Sequence, residues 1–265
     1  MSSICIIGGN EPFPECFVTG YRTEMTRLSK ERDSDEPSFC LWNWDHKALC
    51  EAMANLDGMM IKRILEGHFQ AISHSGFAHT VLASPEMYYW QRRLKIYPKS
   101  SQVINLTKAV DSYLKPYSNL RQTPLCLGVI GTEYGIKFFT EQPDVSQKYR
   151  FRIPALQLTE QITKLHGNYS ETTALRANKL CRDALNSIFD SGSVDGIILA
   201  DFETERWFKG QDYSEHLAEI TAHSRIMITS YDKINQKEVF ILSAMQALIT
   251  QAARESSYQQ IPEVK

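Results

Sequence analysis

Short, nearly continuous apolar runs punctuate the chain: 3-SICIIG-8, 79-HTVLAS-84, 125-LCLGVIG-131, 195-DGIILA-200 and 225-RIMITS-230. They do not alternate with polar residues. This predicts strands buried on both faces, as in a parallel sheet covered by helices. Between the runs the apolar spacing turns helical. In 173-TALRANKLCRDALNSIFDSG-192, Ala177, Leu180, Cys181, Ala184, Leu185 and Ile188 recur at i, i+3 and i+4, and Gly192 supplies a stop. The segments 46-HKALCEAMANLDGMMIKRILEG-67, with Gly67 after its last turn, and 236-QKEVFILSAMQALITQAARE-255 predict two further helices. Strands alternating with helices predict an α/β fold.

The pattern also echoes itself. A glycine-ending strand, 4-ICIIGG-9, opens the first half, and later in that half a helix leads into 79-HTVLAS-84. A second such strand, 125-LCLGVIGT-132, opens the second half, and a helix again leads into 195-DGIILA-200. The polar, proline-containing stretch 116-PYSNLRQTP-124 reads as the boundary. Two pseudo-symmetric α/β lobes with parallel sheets are expected, with a ligand cleft between them at the carboxyl ends of the strands.

Composition narrows the function. Apolar content of 43% and charged content of 23% are ordinary for a globular protein, and 265 residues accommodate one large domain or two smaller ones. A net charge of −2 supplies no electrostatic footprint for nucleic acid or an anionic membrane. No apolar run approaches the roughly 20 residues that span a bilayer, and the N-terminus lacks the pattern of a signal peptide. A cytosolic protein is expected. The six cysteines, Cys5, Cys16, Cys40, Cys50, Cys126 and Cys181, form no C-x-x-C pair. They read as small core hydrophobes rather than as a zinc ribbon or a redox dithiol. His74 and His79, five residues apart, share no helical face and make a poor metal pair. Gly8 and Gly9 lack the G-x-G-x-x-G context of a dinucleotide turn.

The order of a strand–Gly–Gly turn at Gly8, a short strand ending at Ser84, Gly131–Thr132, 166-HGN-168 and 195-DGIILADFETE-205 resembles the aspartate/glutamate racemase family, most closely its aspartate racemase branch. The likeness runs over almost the whole chain. It implies a cofactor-independent, metal-free racemisation of a small amino acid or related carboxylate. It also implies a homodimer. Members of the family place one acid or base on each lobe, usually a cysteine in a Cys-Asn-Thr turn and another in a Gly-Cys-Thr-Glu turn. Here Ser84 stands at the first thiol position, followed by Pro85 and Glu86, and Asp201 at the second, followed by Phe202 and Glu203. Glu203 keeps the family's Glu, and Gly131–Thr132 match its second-lobe Gly-Thr. The resemblance makes Ser84 and Asp201 the candidate catalytic residues. Gly9, Asn10, Pro85, Glu86, Thr132, Phe202 and Glu203 become candidates for substrate binding. The expected lobes are residues 1–118 plus 226–265 and residues 119–225, with the C-terminal helix returning to the first.

These substitutions rule out the two-thiol reaction. A thiol has a reference pKa near 8.5 and an aspartate one near 3.9, so an untuned Asp201 forfeits on the order of 6 kcal/mol of proton-abstracting drive. Burial beside Phe202 and the proximity of Glu203 are expected to raise its pKa and recover part of that deficit. Alternatively, Asp201 simply caps the following segment, since Asp is favoured at helix starts. Ser84 needs a partner, such as Glu86 or a histidine brought close by the fold. Two functions stay open: proton transfer on a small carboxylate or amino acid, or an inactive relative serving as a ligand sensor or partner-binding subunit. Elsewhere, 87-MYYWQRR-93 reads as a packing helix rather than a lid, 41-LWNWDH-46 as a strand, 27-RLSKERDSDEPS-38 as a solvated loop, and Glu205 as solvated.

Overall fold

The computed structural model describes residues 4–8, 13–32, 39–43, 46–166, 171–209, 224–229 and 236–258. It divides into two compact units, Met1–Leu106 with Leu248–Lys265 and Thr107–Ala247. Each is an α/β lobe with a largely parallel sheet.

In the first lobe the apolar runs become β1 (Ile4–Gly8) and β3 (His79–Leu82), joined in the sheet by β2 (Phe39–Asn43) and the short β4 (Gln102–Val103) and interleaved with α1 (Phe13–Arg32), α2 (His46–Ala54), α3 (Gly58–Ser73) and α4 (Pro85–Arg93). The sheet order is β2-β1-β3-β4, all parallel. The first crossover runs from β1 to β2 on one side and the chain then returns past β1 to β3, so the order reverses between β1 and β3. Their carboxyl ends form the switch point at which open α/β sheets bind ligands. Residues 4–8 and 79–82 are buried on both faces, as their unbroken hydrophobicity predicts.

In the second lobe, β5 (Cys126–Ile130), β6 (Arg150–Arg152), β7 (Gly196–Leu199), β8 (Ser224–Thr229) and β9 (Gln236–Ser243) form a sheet in the order β6-β5-β7-β9-β8. Four strands are parallel and β8 closes the edge antiparallel to β9. The order β6-β5-β7-β9 repeats β2-β1-β3-β4, which is the structural form of the echo in the sequence. The helices are α5 (Leu106–Ser118), α6 (Glu133–Glu141), α7 (Pro143–Ser146), α8 (Leu156–Leu165), α9 (Glu171–Asp190) and α10 (Phe202–Lys209). Helix α9 lays Ala177, Leu180, Cys181, Ala184, Leu185 and Ile188 against Ile130, Ile197 and Leu199 of the sheet. It ends where expected, with Gly192 at φ +129° in a conformation that suits glycine.

Several expectations are corrected. Residues 236–243 are strand, not helix. Val239, Phe240, Ile241 and Leu242 are buried, and the strand pairs with β7, so the apolar run is covered on both faces. The C-terminal helix begins only at Ala244, where the Ser243 hydroxyl accepts the Gln246 N–H at 3.0 Å. The second lobe therefore runs from residue 107 to 247 rather than 119–225: α5 and β9 both belong to it, and the chain returns to the first lobe at Leu248. The helix expected over 46–67 is broken at Asn55–Asp57. Leu56 adopts φ 54° and Asp57 caps α3, accepting the Met60 N–H at 2.9 Å. Gly67 lies inside α3. Residues 27–32 continue α1 rather than forming a loop. In α4, residues Met87 to Gln91 are buried, so this aromatic stripe packs in the core.

Candidate active site

At the first-lobe switch point the turn after β3 is held to β1 by the Ala83 N–H on the Ile7 carbonyl at 2.8 Å. It is also pinned by Tyr88, whose hydroxyl accepts the Leu82 N–H at 3.3 Å and donates to the Ile104 carbonyl at 2.8 Å. Burial pushes the Tyr88 phenol up, so it acts as a neutral strut. Ser84 is the N-cap of α4 in extended conformation, with Pro85 in the first turn, yet its hydroxyl makes no capping bond. It donates to Glu86 Oε2. Ser84 is half-buried and paired with the carboxylate two residues on, the partner its chemistry required. Gly9 and Asn10 lie outside the described residues.

The second-lobe turn has the same frame and different contents. The Ala200 N–H reaches the Ile130 carbonyl at 2.9 Å, the counterpart of the Ala83–Ile7 bond. Gly131 follows, and a Cβ there would meet Ala200 Cβ at 2.7 Å and Asp201 Oδ2 at 2.8 Å. Only a residue without a side chain lets the two turns close to this distance. Thr132 caps α6, its hydroxyl accepting the Gly135 N–H at 3.2 Å, while its own N–H points at Asp201 Oδ2 at 3.4 Å.

Asp201 is 5% exposed and engaged at both oxygens. Oδ1 accepts the Thr204 N–H at 2.7 Å, and Oδ2 accepts the Thr204 hydroxyl at 3.0 Å. It therefore caps α10, one of the two roles open to an Asp at this position. It also pairs with a residue that is not among the sequence candidates. His166, at the end of α8, places Nε2 3.3 Å from Asp201 Oδ1 and Nδ1 3.0 Å from Glu203 Oε2. The Nδ1 contact is the shorter, and the imidazole ring meets Trp207 edge to face at 5.2 Å between centroids. Glu203 is 1% exposed. Phe202, the other sequence candidate at this turn, is half-buried.

The electrostatics overturn the expected direction of the Asp201 pKa. Burial alone would raise it, but the His166 charge, with the bonds from His166 and Thr204, outweighs burial and holds the carboxyl below its ordinary value. Asp201 is thus an anion and, on its own, a weaker base than expected. Glu205 is not solvated: it is buried and accepts the Ser243 hydroxyl at 2.6 Å, because α10 begins immediately after Asp201 and turns this side chain toward β9. Cys181 lies buried behind the turn, its thiol pushed up by burial and by the Asp201 charge, so it is no substitute nucleophile. His166 was signalled only by the HGN triplet before the long helix, and Thr204 by its place three residues after a capping Asp. Among the described residues no cluster of His, Cys, Asp and Glu is suited to hold a metal, and no helix is long and apolar enough to cross a membrane.

No family model and no curated protein matches the chain. Solved structures do. A Yersinia pestis protein assigned as an Asp/Glu racemase superposes with a TM-score of 0.64 at 14% identity, covering 97% of this chain and 100% of the other. An aspartate racemase homologue from Pyrococcus horikoshii gives 0.57 at 14% identity, over 97% and 100% of the two chains. The aspartate racemase of Picrophilus torridus gives 0.56 at 15% identity, over 97% and 95%. With identities this low, the shared property is the architecture. The chain has the fold of the aspartate/glutamate racemases.

Proposed function

We propose that this protein carries out cofactor-independent proton transfer on a small carboxylate-bearing molecule, with the His166–Asp201 pair taking the place of the family's second-lobe thiol. The observation that carries this is the 3.3 Å approach of His166 Nε2 to Asp201, with Nδ1 anchored on buried Glu203. Glu203 on Nδ1 orients the imidazole, and Nε2, which faces Asp201, is the nitrogen that exchanges protons. Histidine as a residue type has a reference pKa near 6.5. It falls about 2 units short of a thiol where aspartate falls about 4.6 short, so the deficit in proton-abstracting drive shrinks from about 6 to about 3 kcal/mol. In its neutral form His166 removes the proton next to the carboxylate, and as the imidazolium, with Asp201 as counter-ion, it returns it. Ser84, bonded to Glu86, is a hydroxyl donor rather than an acid or base.

The test is solvent deuterium incorporation into a panel of amino and hydroxy acids. The wild type is expected to exchange the α-hydrogen of at least one, and His166→Gln to lower that rate by at least about 100-fold, the usual contribution of a positioned acid–base group. A second reading, a ligand-binding protein without turnover, is favoured by the engagement of both Asp201 oxygens. It predicts thermal stabilisation by a carboxylate ligand and no exchange with any compound in the panel.

A further inference from the structure

Outside both turns, two free thiols among the described residues of the first lobe are not used by the proposed chemistry. Cys5 on β1 and Cys40 on β2 are register partners on adjacent parallel strands. Neighbouring strands lie about 4.8 Å apart, and register partners project to the same face of the sheet. That separation falls within the Cα–Cα range of about 4.4–6.8 Å that a disulfide spans. Their surroundings differ. Cys5 is fully buried in a central strand, whereas Cys40 is half-buried on β2, the sheet's edge.

We propose that Cys5 and Cys40 form a site of reversible oxidation, closed by exchange with a low-molecular-weight disulfide, that staples the edge strand β2 to β1. The asymmetry sets the order of events. Burial and the neighbouring Cys40 push the Cys5 thiol up to about 12, so Cys5 is a poor first nucleophile. Cys40, at the accessible edge, attacks one sulfur of the incoming disulfide, breaks its S–S bond and releases one thiol. Cys5 then gives up its proton and attacks Cys40 Sγ, forming the intramolecular bond and expelling the second thiol. Two electrons pass from the protein to the small disulfide, and the two protons leave on the two released thiols.

The full chain is incubated with oxidised glutathione at mildly alkaline pH and quenched with acid, and its cysteines are mapped by peptide mass spectrometry. The expected product is a Cys5–Cys40 cross-link, with a loss of two thiols from the six cysteines, reversed by dithiothreitol. In Cys40→Ser, Cys5 is expected to stay reduced under the same conditions. In Cys5→Ser, Cys40 is expected to accumulate as a stable glutathione adduct. A persistent adduct on wild-type Cys40, a cross-link between other cysteines, or direct modification of Cys5 in Cys40→Ser overturns the proposal. The wild-type map decides between these outcomes even if either variant fails to fold.

Discussion

The two turns that follow β3 and β7 are topological equivalents built for different tasks. Each comes two residues after a buried strand, each is fixed by one backbone bond to the neighbouring strand (Ala83 to Ile7, Ala200 to Ile130), and each opens a helix. In the first, the Ser84 hydroxyl makes no bond to the helix it precedes and donates to Glu86. In the second, Asp201 caps its helix through Thr204, reaches back to Thr132 and pairs with His166, which Glu203 holds from the other side. The residue three past Ser84 is Met87, buried in the core, so no hydroxyl stands where Thr204 does. A repeated backbone has therefore produced one turn braced by a neutral tyrosine and one held by a buried ionic network. The difference arises at single positions rather than in the frame.

The contrast is open to attack by mutation. Asp201→Ala should cost about 3–5 kcal/mol in urea denaturation, because it strands a buried partner as well as removing a cap. A cost below about 1 kcal/mol would mean the network is not holding the second turn together. Gly131→Ala should cost about 1–3 kcal/mol through overpacking against Ala200 and Asp201, again read as a lower urea midpoint. A pH series separates the charge from the cap. The folded-state pKa of Asp201 is depressed, so its stabilisation is fully present above the ordinary value of 3.8 and is lost as pH falls below it toward the folded-state pKa. Melting temperatures from pH 6 to 2 should drop more steeply for the wild type than for Asp201→Asn, which keeps the cap and loses the charge. The smallest effect is expected for Ser84→Ala, within about 0.5 kcal/mol of wild type, since no cap depends on that hydroxyl. Equal costs for Ser84→Ala and Asp201→Ala would erase the distinction between the turns.

The strands leading to Gly8, Ser84, Gly131 and Asp201 were legible because strands buried on both faces need unbroken apolar runs, and those runs stop where the backbone turns. Strands β4 and β6 were not, being two and three residues long, with Arg150 and Arg152 in the latter. Strand β9 was hidden because 239-VFIL-242 runs directly into a helical pattern, and no polar break except Ser243 marks the change of period. At the site, the position of Asp201 was readable but the sign of its pKa shift was not. That sign depends on His166, 35 residues earlier, and only the packing of α8 beside the β7 turn brings the two together. Glu205 went the same way: two acids in three residues look solvated until a helix begins just before them and Ser243 arrives from β9.

The return of the chain to the first lobe at Leu248 bears on how the protein is made. A Cβ at Gly20 would lie 2.8 Å from Ile249, so the C-terminal helix packs tightly on α1, and Ile249, Ala252 and Ala253 are buried in that lobe. The first lobe's strands are thus translated before the second lobe, but part of its core is missing until the segment from Leu248 onward has left the ribosome. The second lobe, continuous from Thr107 to Ala247, has all its residues earlier. Vectorial synthesis reverses the order of the two lobes: the one whose strands are made first is the later to complete its core.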